Sequence, residues 1–339
     1  MELNNKNDKN ELMTYFSFNE DSTSISIGTK EGFKIIALDP INNYIYRKIG
    51  REINIVEIYH SSNILLLVGA KENSLFPPNK LIIWDDNKRE IVGELRTLSK
   101  IKVAKIIKDK LFIVNDINIF IFNFDQLSLI DSFEIYCDTK DNVSFAINNN
   151  IIKIAYLSEN KTNIKIKEIN YLTNESKEGK TILNDKDLKY NLIKFNNKGN
   201  LIAGTCENTI YLYNALNKEK IKEIENETFG NGRINDIRFS RKDNYMAISV
   251  LNNNSGKILI YDITSKDDED ENNLNFLNYF FKKEENCCYF ILNTNKFIFK
   301  FDEDNYIIII TSLGEYIKIS FNLDEGGKCQ KIENKKIFP

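Results

Sequence analysis

One pattern recurs along this chain of 339 residues: an aromatic residue, a polar turn, a short apolar strand, a second turn and another apolar strand. Clear copies begin at Phe18, Phe195, Phe239 and Phe301. Phe195 and Phe239 are 44 residues apart, and the 177 residues from Phe18 to Phe195 are close to four such intervals. A period of ~40–45 residues built from short strand pairs is typical of a β-propeller.

Weaker copies of the pattern fill the interval between the first two clear ones. They are NILLLVGAKENSLFPPNKLIIWDD, KLFIVNDINIFIFNF and NNIIKIAYLSENKTNIKIKEI, each a pair of short strands around a polar turn. Apolar residues alternate or run in short blocks, which favours strands over helices. The count predicts an all-β fold, a seven-bladed β-propeller with blades of four antiparallel strands.

The spacing also predicts how the chain is divided. Residues 1–12 are polar and are expected to form a flexible tail, and residues 13–339 are expected to form a single propeller domain. The interval from Phe239 to Phe301 is 62 residues, which exceeds the period. The excess follows the strand KILIYDI and predicts an inserted loop at about residues 264–286, and long loops often carry function.

Composition limits the partners and the compartment. The net charge of −3 gives no general attraction to nucleic acid, so no nucleic-acid partner is expected. The five cysteines form no C-x-x-C pair, which favours reduced thiols in the cytosol. Neither an apolar run of ~18–20 residues nor a signal peptide is present, so we expect a cytoplasmic monomer whose membrane contact is peripheral.

Sequence motifs give little support for catalysis. The single histidine, His60, lies beside an apolar strand and is expected to be structural. The sequence contains no P-loop, no G-x-G-x-x-G, no H-E-x-x-H and no cysteine pairs with metal spacing. We therefore expect no enzyme activity, no cofactor and no bound metal.

Several longer runs resemble one known family. FNEDSTSISIGTKEGFKII, VEIYHSSNILLLVGA, PPNKLIIWD and LGEYIKISFNLDEGGKCQKIEN are similar in order and spacing to the PROPPINs, seven-bladed propellers that bind phosphoinositides and act in autophagy. The resemblance implies an effector of phosphatidylinositol 3-phosphate or the 3,5-bisphosphate that recruits autophagy machinery. It also implies peripheral association with phagophore, endosomal or other organelle membranes.

The family's lipid-binding motif is altered here. PROPPINs typically carry Phe-Arg-Arg-Gly or Leu-Arg-Arg-Gly, whose two arginines each serve one lipid pocket, because a guanidinium offers a fork of donors to phosphate. The resemblance places this motif over IENET, where Glu225, Asn226, Glu227 and Thr228 stand instead. The cations expected nearby, as a substitute lipid pocket or as solvated strand edges, include Lys198, Lys222 and Arg233.

The inserted loop matches a second property of the family. PROPPINs have a long loop in the sixth blade that enters the bilayer, and aromatic side chains with a basic flank suit the membrane interface. The alternative is that some of these aromatics begin the next buried strand, and the acidic run KDDEDE in the same loop disfavours anionic lipid. The candidate insertion residues are Phe276, Leu277, Tyr279, Phe280, Phe281, Lys282 and Lys283.

A third candidate surface concerns protein partners. In PROPPINs the connection between the second and third blades contacts the large lipid-transfer protein of autophagy, and the corresponding stretch here is KENSLFPPNKLIIWDD. We expect Phe76, Pro77, Pro78 and Lys80 to lie on an exposed edge, where proline would reduce the ordering cost of binding. The alternative is a rigid turn without a partner.

Three hypotheses for function remain open at this point. The first is a PROPPIN-like membrane effector. The second is a member of that family that has lost headgroup binding and acts as a protein-interaction scaffold. The third is a generic WD-repeat scaffold in another pathway.

Overall fold

The computed structural model describes residues 13–20, 23–38, 41, 44–181, 188–225, 232–263, 287–303 and 305–337. These residues form seven sheets, and their contacts divide the chain into two compact units. The first unit extends to Glu134 and includes residues 336–339, and the second extends from Ile135 to Lys335. The predicted tail of residues 1–12 and the predicted insertion at 264–286 lie outside the described residues.

The first unit contains three sheets of four strands, paired antiparallel and adjacent in chain order. Each sheet is a meander, in which every strand pairs with the next along the chain. The strands are β1 Met13–Phe18, β2 Ser24–Thr29, β3 Gly32–Ala37, β4 Tyr44–Lys48, β5 Ile53–Ile58, β6 Ile64–Gly69, β7 Lys80–Asp85, β8 Glu90–Arg96, β9 Ile101–Ile107, β10 Lys110–Asn115, β11 Asn118–Asn123 and β12 Ser128–Glu134.

The described residues of the second unit form the other four sheets and one 3-10 helix, Lys140–Asn142. The sixth sheet has a fifth strand, β28, which pairs parallel with β24, and the seventh takes β29 as its outer strand. The strands are β13 Val143–Asn148, β14 Ile151–Leu157, β15 Ile164–Asn170, β16 Ser176–Thr181, β17 Leu192–Phe195, β18 Leu201–Cys206, β19 Thr209–Asn214, β20 Lys220–Ile224, β21 Arg233–Phe239, β22 Tyr245–Leu251, β23 Gly256–Asp262, β24 Cys288–Leu292, β25 Phe297–Phe301, β26 Tyr306–Thr311, β27 Glu315–Ser320, β28 Gly327–Lys328 and β29 Gln330–Lys336.

Burial follows the position of a strand within its sheet. Second strands such as β10 are buried along their whole length, whereas outer strands such as β8 and β29 are mostly exposed. The buried side chains form clusters shared by consecutive sheets, for example β18 and β19 with β21, β22 and β23. Sheets that pack face to face bury both faces of their inner strands, which is why these strands are rich in isoleucine. The protein is therefore a seven-bladed β-propeller, as the repeat spacing predicts.

In the second unit, the turn between the first two strands of one blade bonds to the equivalent turn of the next. Asp243, in the turn between β21 and β22, is 7% exposed and lies beside the turn between β17 and β18. Its carboxylate accepts from Asn196 Nδ2 at 3.0 Å, from Asn197 N and Nδ2 at 2.9 Å each, and from Lys198 N at 3.0 Å. Asp243 has a φ of 63° and Gly199 one of 64°, so both turns close through a left-handed residue.

The equivalent turns in the first unit are also linked, but at the surface. Asn19 Nδ2 donates to the carbonyl oxygen of His60 at 3.1 Å. His60 Nδ1 lies 2.9 Å from Glu20 Oε2, and the two side chains are 42% and 52% exposed. His60 has a φ of 49°, the left-handed conformation that closes this turn, so the only histidine of the chain has a structural position.

Candidate functional site

The connection between the fifth and sixth blades is where the sequence places the altered arginine motif. Glu225 follows the end of β20 and is exposed, and Arg233 begins β21 and is exposed. The two residues therefore lie at the same end of neighbouring blades. Asn226, Glu227 and Thr228 lie outside the described residues.

The outer strand of the fifth blade presents paired charges near this connection. Lys220 Nζ lies 3.0 Å from Glu223 Oε2 and 5.6 Å from the centre of the Tyr211 ring. Tyr211 pairs with Glu223 across β19 and β20. Burial, together with the charge and hydrogen bond of Glu223, raises the pKa of Tyr211 to about 12. Lys220 is thus paired with a carboxylate of its own strand, and a phosphate bound beside it would be repelled by Glu223.

The predicted cations do not all converge on this connection. Lys222 is half-buried on β20, where it pairs with Leu212. Lys198 lies in the turn between β17 and β18, at the end of the fifth blade opposite to Glu225, and its backbone amide is bound by Asp243. The structure brings Arg233 and Glu225 to one end of the blades and places Lys198 at the other end.

A second charged group, whose carboxylates were not singled out from the sequence, lies on the first strands of the fifth and sixth blades and on the 3-10 helix. Arg238 Nε donates to Asp236 Oδ2 at 2.8 Å. Burial raises the pKa of Asp236, but the charges of Arg238, Lys194 and Lys140 outweigh it and hold the pKa below its usual value. Lys140 and Lys194 act in the same direction on Asp141, whose pKa burial nevertheless raises. This cluster therefore joins three cations with two carboxylates.

The connection between β6 and β7 differs from the prediction. Phe76 is 6% exposed and packs with Phe33, Leu65 and Trp84, and Pro77 and Pro78 are also buried, so the expected exposed edge is wrong for these three residues. A Cβ at Gly69 would lie 1.7 Å from the Phe76 carbonyl oxygen, so the close approach needs glycine. Lys80 is half-buried and its Nζ lies 3.0 Å from Glu94 Oε2.

Two leucines on this connection and the one beside it are exposed instead. Leu75, beside Phe76, is 67% exposed, and Leu98, in the connection between β8 and β9, is 96% exposed. The two connections run side by side: Thr97 N donates to Asn79 O at 2.9 Å, and Ile101 N donates to Pro78 O at 2.8 Å. Lys100 Nζ also lies 3.4 Å from Glu72 Oε1. Leu75 and Leu98 are therefore large exposed apolar side chains on two adjacent connections.

Comparison with known proteins then decides the family. The PROPPIN family profile matches residues 12–276. The chain belongs to the PROPPIN family. It is 26% identical over 258 residues to autophagy-related protein 18 of Candida glabrata, covering 74% of this chain but 45% of that protein. It is 21% identical to autophagy-related protein 18e of Arabidopsis thaliana, covering 95% of this chain and 87% of that protein.

Solved structures share the fold of this PROPPIN. Hsv2 of Kluyveromyces marxianus superposes with a TM-score of 0.75 at 15% identity, covering 97% of this chain and all of that one. KlAtg21, solved in complex with a coiled coil of AgAtg16, superposes with a TM-score of 0.72 at 17% identity, covering 96% and 99% of the two chains. At these identities the likeness concerns the fold.

The remaining candidate residues of this PROPPIN can be placed only in part. Phe276, Leu277, Tyr279, Phe280, Phe281, Lys282 and Lys283, the predicted insertion residues, lie outside the described residues. Within the described ranges, no helix combines the length and apolar character needed to cross a membrane. No group of three or more metal-ligating side chains is found in that same part of the chain.

Proposed function

We propose that this PROPPIN is an autophagy-related effector that binds membranes containing phosphatidylinositol 3-phosphate or the 3,5-bisphosphate and recruits autophagy machinery to them. The family match over residues 12–276 is the observation that carries the proposal. Its place would be the cytoplasm, peripherally associated with phagophore, endosomal or other organelle membranes. The activity is binding and not catalysis.

Arg233 is the described residue best placed to contact a headgroup. It is exposed at the start of β21, beside the connection that carries the lipid motif in relatives. A guanidinium binds phosphate through two parallel hydrogen bonds and stays charged. Since Glu225 lies at the other side of this connection, we expect binding to be weaker and more sensitive to salt than a double-arginine site.

The test is sedimentation of the purified protein with vesicles at low and high salt. The vesicles carry phosphatidylcholine alone, or with phosphatidylinositol 3-phosphate or the 3,5-bisphosphate. The proposal expects binding only to phosphoinositide vesicles, a loss of binding in Arg233→Gln, and wild-type binding in Arg241→Gln. Arg241 is an exposed arginine just beyond the other end of the same strand, which makes it a matched control. Equal binding to all vesicles, or none by folded protein, would refute headgroup recognition.

The second candidate function is a protein-interaction scaffold that has lost headgroup binding. Two observations favour it: the carboxylates of Glu223 and Glu225 near the motif, and the exposed leucines Leu75 and Leu98 on adjacent connections. The family resemblance points to the lipid-transfer protein of autophagy as a partner, and a coiled coil binds the similar propeller KlAtg21.

This second candidate is tested by adding charge to the apolar surface. Leu98→Asp and Leu75→Asp should each weaken binding to the purified lipid-transfer protein or coiled-coil partner from the same organism by at least ~10-fold, because a buried carboxylate without a partner is costly. Leu172→Asp is the control, since Leu172 is 64% exposed on a different connection. Unchanged affinity in both leucine variants would exclude this surface.

A further inference from the structure

The short strand β28 joins the end of the described chain to the sixth blade. It pairs parallel with β24, with Cys288 opposite Gly327 and Tyr289 opposite Lys328. Gly327 N donates to Cys287 O at 3.0 Å, and Cys329 N donates to Tyr289 O at 2.8 Å. Directly after Cys329 the chain enters β29, the outer strand of the seventh blade.

This register brings two thiols to the same face. Cys288 is opposite Gly327, and side chains two residues apart on a strand lie on one face, so Cys329 shares the face of Cys288. The Cys329 thiol hydrogen-bonds the Cys288 sulfur, and the Cys288 thiol donates to the carbonyl oxygen of Asn322 at 3.2 Å. The two cysteines are 2% and 5% exposed and share one apolar cluster.

The contact divides the roles of the two sulfurs. The hydrogen bond from Cys329 lowers the pKa of Cys288, although burial opposes this shift. The same bond, together with burial, raises the pKa of Cys329. The thiolate is the nucleophilic form of cysteine, so the direction of these two shifts favours Cys288 as the attacking sulfur.

We propose that Cys288 and Cys329 are a redox pair, in which a peroxide forms a disulfide that fastens β28 and β29 to the outer strand of the sixth blade. The Cys288 thiolate attacks one peroxide oxygen, the O–O bond breaks, and water leaves after protonation, giving a sulfenic acid. Cys329 then attacks that sulfur, the S–O bond breaks, and its thiol proton leaves with the hydroxyl group as a second water. Two thiols are oxidised and one hydrogen peroxide is reduced to two waters.

The position of the pair gives the disulfide a consequence. Cys288 begins the strand that follows residues 264–286, and Cys329 precedes the strand that completes the seventh blade. A cross-link at this point restricts the separation of β28 from β24 in the folded protein and shortens the free chain after unfolding. We therefore expect the oxidised protein to have a higher thermal midpoint and slower proteolysis after residue 320 than the reduced protein.

The experiment treats the reduced wild-type chain with hydrogen peroxide, followed by intact mass measurement and peptide mapping without reduction. The expected result is the loss of two hydrogen atoms and a cross-linked peptide containing Cys288 and Cys329. Cys287→Ala removes the neighbouring half-buried thiol and should keep the cross-link, as should Cys206→Ala in the fifth blade. Cys329→Ala should abolish the cross-link and form sulfenic or sulfinic acid at Cys288.

The peptide map of the oxidised wild-type protein tests the proposal even if the Cys329→Ala variant does not fold. A cross-link from Cys287 to Cys329, or oxidation confined to Cys137 or Cys206, would overturn the proposal. Complete retention of both free thiols in folded protein, under conditions that oxidise Cys206, would overturn it equally. Reversal by dithiothreitol, with return of the thermal midpoint to its initial value, is the result expected of a switch.

Discussion

Equivalent turns link neighbouring blades in both units, but the two links differ in burial and chemistry. In the second unit, Asp243 is 7% exposed and its carboxylate accepts four hydrogen bonds from the neighbouring turn. In the first unit, the ionisable pair of Glu20 and His60 is about half exposed, and only the bond from Asn19 to a carbonyl resembles the buried link. The equivalent position in the repeat brings the two turns into contact in both units. How much that contact stabilises the fold depends on whether its polar groups are buried.

The largest expected effect follows from removing the buried acceptor. Asp243→Ala removes an acceptor from the buried side-chain amide of Asn196 and from the backbone amides of Asn197 and Lys198, and a buried donor left unpaired costs ~1–3 kcal/mol. We expect the free energy of unfolding to fall by roughly 3 kcal/mol in urea denaturation. Asp125→Ala, at an exposed aspartate, is the control and should cost under ~0.5 kcal/mol. Similar stabilities of the two variants would break the comparison.

A smaller effect, and one that depends on pH, is expected for Asp243→Asn. Burial raises the pKa of Asp243 above its ordinary value of 3.8, although hydrogen bonds from Asn197 and Lys198 oppose the shift. The folded protein therefore binds this proton more tightly, so the contribution of protonation to stability is full below 3.8 and is lost as pH rises through the folded pKa. The unfolding free energy of the wild type minus that of Asp243→Asn should therefore decrease as pH rises from 3.8 through the folded pKa. If the unfolding free energy of the wild type instead increases with pH relative to that of Asp243→Asn, the pKa of Asp243 is not raised in the folded protein.

The smallest effect is expected at the exposed link. Glu20→Ala removes the contact with His60, which is an ion pair when the imidazole is protonated, but leaves the bond from Asn19 to the His60 carbonyl. Exposed ion pairs contribute ~0.2–1 kcal/mol and are screened by salt, so we expect a loss of about 0.5 kcal/mol that disappears at high ionic strength. Thermal unfolding at low and high salt measures it. A loss as large as that of Asp243→Ala would show that burial is not the deciding factor.

The fold was predictable because its signal is repeated. The aromatic residue before each turn, as at Phe195 and Phe239, marks the end of the first strand of a blade, and the structure confirms both positions and the seven-bladed fold. The family resemblance is also confirmed. A single copy of the pattern could belong to many β folds. Because the spacing of ~40–45 residues recurs along the chain, it identifies a repeated blade.

The candidate surfaces were less predictable because they depend on contacts between distant residues. Phe76 lies in a polar stretch before two prolines, and its burial depends on the missing side chain of Gly69. Leu98 carries no pattern that separates it from a core leucine, although it is 96% exposed. Lys198 is a different case, since counting strand directions from the sequence would have placed it at the opposite end of the blade from Glu225.

The single tryptophan determines what fluorescence can report about this protein. Trp84 is 9% exposed in the second blade, and its Nε1 donates to Asp86 Oδ1 at 3.3 Å. Arg47 Nε donates to the same carboxylate oxygen at 2.7 Å. Excitation of the indole therefore monitors the environment of the first unit, and none of residues 135–335 contributes an indole. Unfolding curves measured by indole emission and by circular dichroism will coincide only if the two units unfold together. Comparing the two curves therefore measures the cooperativity of the two units without a label.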